Sequence, residues 1–154
     1  MKAGLVLLFF YVFHSMTGFS QTGYVNELQS IIQENKPDST TAAAYNWLVF
    51  MGEDYGVPHG SMDSMMEKAM QVSEQIDNKT QTAFVLLNKA LAMARAGKYD
   101  TALYTANTAK DILNKTDTLK NHEVQAIYYF TRGMILMPQG LFKEATVADF
   151  IKAL

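Results

Sequence analysis

The sequence predicts an all-α protein, an α-α superhelix of antiparallel helix pairs behind an N-terminal export signal. Three observations lead there. No segment of useful length alternates apolar and polar residues as a half-buried strand does. Apolar residues recur instead at three- and four-residue spacing, in runs separated by short breaks. The pattern Gly97-x-Tyr99-x-x-Ala102 returns as Gly140-x-Phe142-x-x-Ala145, and a small residue, Ala90 or Gly133, stands seven positions before each glycine. A period in the low forties is that of a helical solenoid, in which each unit buries its apolar face against its neighbours.

The first segment is an address. Met1-Lys2 gives a short basic start, Ala3 to Phe13 is an unbroken apolar run, and Gly18-Phe19-Ser20 places small residues around a large one. That layout is a secretory signal peptide over 1–20, with cleavage between Ser20 and Gln21. An uncleaved anchor is the alternative, but the second half of the stretch is too polar for a good bilayer span. A mature chain that begins at glutamine resembles exported proteins of the Bacteroidota. About 134 residues remain, enough for one core that hides roughly two-thirds of the unfolded surface.

The helices follow in order. Residues 21–37 hold a brief helix, with Val25, Leu28, Ile31 and Ile32 as its stripe and Lys36-Pro37 as its end. Asp38-Ser39-Thr40-Thr41 supplies N-caps for a second helix, from Ala42 to about Tyr55, carrying Tyr45, Trp47, Leu48 and Phe50. After the Gly56-Val57-Pro58-His59-Gly60 break, Ser61 caps a third helix striped with Met62, Met65, Met66, Ala69, Met70 and Ile76. The turn Asp77-Asn78-Lys79-Thr80 leads into a fourth helix through Ala83, Phe84, Leu87, Ala90 and Leu91, which stops at Gly97. The fifth carries Tyr99, Ala102, Ala106, Ala109 and Leu113, a seam of alanines that lets a neighbouring helix approach closely. The sixth runs through Ala126, Tyr129, Phe130 and Gly133 to about Met137, and a seventh begins near Leu141. Three repeats result, at about 38–79, 80–117 and 118–154, the last one incomplete.

These residues resemble the tetratricopeptide repeat family over roughly 38–154. The best-matching pair is Ala83 to Leu113, with Ala90, Gly97, Tyr99, Ala102 and Ala109 in the signature positions. The next supplies Tyr129, Gly133, Gly140, Phe142 and Ala145. Departures are visible: Ala145 and Ala153 are eight apart, Ala106 stands where the family has an aromatic, and the period exceeds the family's usual 34 residues. More narrowly, the order of leader, short helix and Tyr45-Asn46-x-Leu48 helix resembles the exported repeat regions of Bacteroidota-type sensor and regulatory proteins. The resemblance implies a concave groove lined by the first helix of each pair, here within Ala42–Tyr55, Thr82–Ala96 and Val124–Met137.

Composition narrows the chemistry. Net charge is −2, Lys and Arg form no cluster, and a directly bound nucleic acid is not expected. No cysteine is present, so disulfides, thiolate metal sites and a cysteine nucleophile are excluded. His14, His59 and His122 have no second ligand at helical spacing, and neither a Gly-x-Ser-x-Gly elbow nor a phosphate loop occurs. The Met62, Met65, Met66 and Met70 stripe follows the core period and reads as packing before it reads as an adaptable surface. Asn78-Lys79-Thr80 and Asn114-Lys115-Thr116 match a glycosylation sequon but serve first as turns. The expectation is a non-catalytic protein without cofactor or metal, exported to the periplasm or beyond, that binds a protein or peptide. The alternative is the periplasmic sensory segment of a membrane-anchored histidine kinase or transcription regulator. The sequence ends at Leu154 within an apparent helix, which reads as a fragment that leaves its last apolar face uncovered.

Overall fold

A computed structural model describes residues 20–52, 57–116 and 121–141. Among them the protein is all-helical, with six helices and no strand. These are α1 (Ser20–Gln33), α2 (Ser39–Met51), α3 (Met62–Gln75), α4 (Lys79–Arg95), α5 (Tyr99–Leu113) and α6 (His122–Leu136). No helix among the described residues is long and apolar enough to cross a membrane. The export segment before Ser20, together with Phe142, Ala145 and the seventh helix, lies outside the described residues. Ser20 and Gln21 open α1, so cleavage between them would shorten that helix by one residue.

The helix ends follow from local chemistry. Asp38 caps α2, its carboxylate accepting the Thr41 N–H at 2.8 Å. Asn78 caps α4 in the same way through Gln81 N–H, at 3.1 Å. Three of the helix stops share one device. Lys98 N–H bonds to the Met93 carbonyl and Gly97 N–H to that of Ala94, with Gly97 at φ +74°. This is the reverse turn that a left-handed residue makes after a helix. Gly140, at φ +75°, repeats it through Leu141 and Leu136. Asp77 takes the same role after α3 at φ +51°. The recurring glycine of the sequence pattern is therefore a helix terminator.

Two boundaries differ from the sequence reading. The second helix stops at Met51 rather than near Tyr55, because Gly52 turns left-handed (φ +65°) and its N–H closes onto the Leu48 carbonyl. Ser61 gives no side-chain cap to α3. Its hydroxyl donates instead to the Pro58 carbonyl at 2.7 Å, closing the tight turn His59–Ser61.

Packing joins each helix to the next in sequence and also α2 to α4 and α4 to α6. The largest apolar cluster lies among α4, α5 and α6. There Ala90, Ala102, Ala106 and Ala109 have no exposed surface and meet Phe84, Leu87 and Ile127. Small side chains on α5 let it lie close against α4, its most extensive partner. A second cluster clamps α1, through Val25 and Leu28, onto Ala44 and Leu48 of α2 and Met62 of α3. A third joins Val49, Met66, Ala69 and Val85 of α2, α3 and α4. The α3 methionines divide between these clusters: Met62 and Met66 are buried, Met65 and Met70 half-buried.

Candidate functional site

The row α2, α4, α6 borders a groove of about 750 Å³. Trp47, Phe50 and Met51 come from α2, and Leu91, Ala94 and Arg95 from α4. Phe130 and Met134 come from α6. Tyr24 of α1, Tyr99 at the start of α5 and Pro138 complete the described rim. The volume and apolar lining fit those of ligand sites, which run to about 300–1,000 Å³ with few polar groups.

Helical periodicity explains the set. Trp47, Phe50 and Met51 stand three and four apart on one α2 face, as do Leu91, Ala94 and Arg95 on α4. The rings hold one another edge to face. Trp47 meets Phe50 at 5.6 Å and Phe84 at 5.1 Å, and Phe50 meets Phe130 at 5.8 Å. Such pairs are worth about 0.5–1.5 kcal/mol beyond burial, so the aromatic wall from α2 to α6 is set before any ligand arrives.

Charge is sparse. Arg95 is the one charged side chain among the described residues of the groove, and it forms no hydrogen bond or ion pair with another described residue. Its Nη1 lies 4.0 Å from where a Cβ on Gly52 would stand. Tyr24 keeps its proton more firmly than an ordinary tyrosine. Partial burial raises its pKa first, and the Glu27 and Glu123 carboxylates add to it.

Behind the groove, α2 and α4 are joined by buried amides. Asn46 Nδ2 donates to Gln81 Oε1 (2.9 Å) and to its carbonyl (3.2 Å). Asn88 Nδ2 in turn donates to the Asn46 carbonyl (3.0 Å) and Oδ1 (3.3 Å). Asn46 on α2, Asn88 on α4 and Thr131 on α6 are spaced by 42 and 43 positions. Asn88 Oδ1 and Thr131 Oγ1 are buried with no hydrogen-bond partner, each costing about 1–3 kcal/mol if left dry.

The sequence reading marked the three helix spans that supply most of the groove but selected no residue within them. Of its described repeat residues, Tyr99 alone reaches the groove. Ala90, Ala102, Ala109 and Gly133 are buried between helices, and Gly97 and Gly140 are exposed at turns. Arg95, Tyr24 and the Asn46–Asn88 ladder went unnoticed. The ladder was findable, since Asn88 and Thr131 each stand two residues before the repeat's small residue. Tyr24 was not, because it arrives from a helix outside the repeats. Among the described residues no group of three His, Cys, Asp or Glu side chains could hold a metal. No protein-family model, curated protein or solved structure matches the chain.

Proposed function

We propose that the protein is an exported, non-catalytic interaction module of tetratricopeptide-like build, in which stacked helix pairs hold an extended peptide segment. The observation that carries this reading is the groove. It runs across α2, α4 and α6, is walled by interlocked aromatic rings, and holds a single described charge, Arg95. A peptide suits it because apolar side chains fill an aromatic trough while backbone groups meet Tyr24 and Arg95. The apolar wall offers no described cluster of acid, base and nucleophile that would favour catalysis. Export follows from the leader, and the protein or peptide partner would be met outside the cytoplasm.

Selection of binders from a random peptide library on the full chain tests the reading. The expected result is a set of peptides rich in apolar and aromatic residues that no longer bind an Ala94→Asp variant of unchanged helicity. Selected peptides that bind Ala94→Asp as well as the parent would place the partner elsewhere.

A further inference from the structure

The aromatic groove is one-sided in its hydrogen bonding. Among its described lining residues none carries a carboxylate, a carboxamide or an aliphatic hydroxyl, and the Met51 and Met134 thioethers accept only weakly. The polar groups that remain are the Arg95 guanidinium and the Trp47 indole N–H, which donate and cannot accept, and the Tyr24 and Tyr99 hydroxyls. None of the four side chains forms a hydrogen bond with another described residue. Tyr24 and Arg95 are exposed, Trp47 and Tyr99 half-buried. Neither the indole N–H nor the Tyr99 hydroxyl is among the partnerless polar atoms sealed from solvent, so both stay open to water.

A ligand suited to such a lining brings acceptors and few donors. An extended peptide of ordinary residues carries an N–H beside every C=O, and here its N–H groups would find no strong side-chain acceptor among the described residues. A proline residue keeps its carbonyl and has no N–H at all. We propose that the groove takes a proline-rich segment in the polyproline II conformation, an inference that rests on the groove being a peptide site. The pyrrolidine rings lie on the aromatic wall, and the free carbonyls accept from Trp47, Arg95 and the two tyrosines. Aromatic-lined grooves suit such segments because the polyproline II helix is already formed before binding and loses little entropy. The Trp47, Phe50 and Phe130 rings follow one another at 5.6 and 5.8 Å. That makes a wall comparable to one polyproline II turn, about 9 Å.

Titration of the full chain with two capped nonapeptides, three Pro-Pro-Leu triplets against three Ala-Ala-Leu triplets, decides it by calorimetry and Trp47 emission. The proline peptide is expected to bind about tenfold or more tightly and to change the emission saturably. Arg95→Glu turns a donor into an acceptor, and Tyr24→Phe combined with Tyr99→Phe removes two hydroxyls while keeping the rings. Each change should narrow the preference severalfold without altering helicity. Equal or tighter binding of the alanine peptide would overturn the inference, as would a preference that survives both sets of substitutions. Should the alanine peptide prevail and Ala94→Asp abolish its binding, the groove still holds peptides and only the proline inference falls. Should neither nonapeptide bind, the proline inference falls as well, and library-selected peptides sensitive to Ala94→Asp would still uphold the groove. Binding of every peptide undiminished by Ala94→Asp would remove both readings.

Discussion

Ala106 has no exposed surface and lies in the α5 seam packed against α4. Ala106→Leu adds three carbons where no space exists, so stability should fall by about 1–3 kcal/mol. Urea denaturation should show a lower midpoint with an unchanged slope. Asp38 gives a second test, this one through pH. Hydrogen bonds from the Thr41 and Thr40 backbone hold its carboxyl below the ordinary value of 3.8. A lowered folded pKa means the cap's contribution is complete above 3.8 and is lost as pH falls below it. Asp38→Asn keeps an N-cap oxygen without the titration, so it should flatten the acid limb of the melting curve; Asp38→Ala should lower the midpoint at neutral pH as well. The alanine seam was legible because apolar residues at three- and four-residue spacing have one structural meaning. The spacing that holds Asn88 was legible too, but its bond to Asn46 was not, since a polar residue on an apolar face gains its meaning only from a partner on another helix.

At the scale of the element, helix termination sets the geometry. Gly97 sits at φ +74° with nothing within 4 Å of an added Cβ, so Gly97→Ala probes the backbone conformation alone. The cost should be about 1–2 kcal/mol, and Gly97→Asn should cost less because asparagine tolerates the left-handed region. Asp77 holds the same position after α3 as a non-glycine, so Asp77→Gly should stabilise by about 1 kcal/mol. Thermal melts of the three variants check the ordering: Asp77→Gly above the parent, Gly97→Asn below it, Gly97→Ala lowest. The repeating glycine disclosed these terminators in advance. The stop at Met51 stayed hidden, because Gly52 belongs to no repeated pattern and the residues beyond it are compatible with helix.

Across the whole molecule, α4 packs against α2, α3, α5 and α6, whereas α1 touches mainly α2. Opening α4 requires breaking more of the described interfaces than opening any other helix, so amide exchange should be slowest between Ala83 and Leu91 and fastest in α1. Exchange as fast in α4 as in α1 would mean that the helices do not cooperate as stacked units. The order of helices could be read along the chain, but the groove could not. It depends on α2, α4 and α6 forming a row, and on Phe50 of α2 reaching Phe130 of α6. Trp47 is the single tryptophan of the chain and lines that groove, so its emission reports directly on what enters. The decisive measurement is a titration of the full chain with a library-selected peptide, followed by Trp47 fluorescence. Binding in the groove predicts a saturable change in emission whose midpoint matches the calorimetric Kd and which Ala94→Asp abolishes. Tight calorimetric binding with Trp47 emission unchanged would contradict the account, because the peptide would then occupy some other surface.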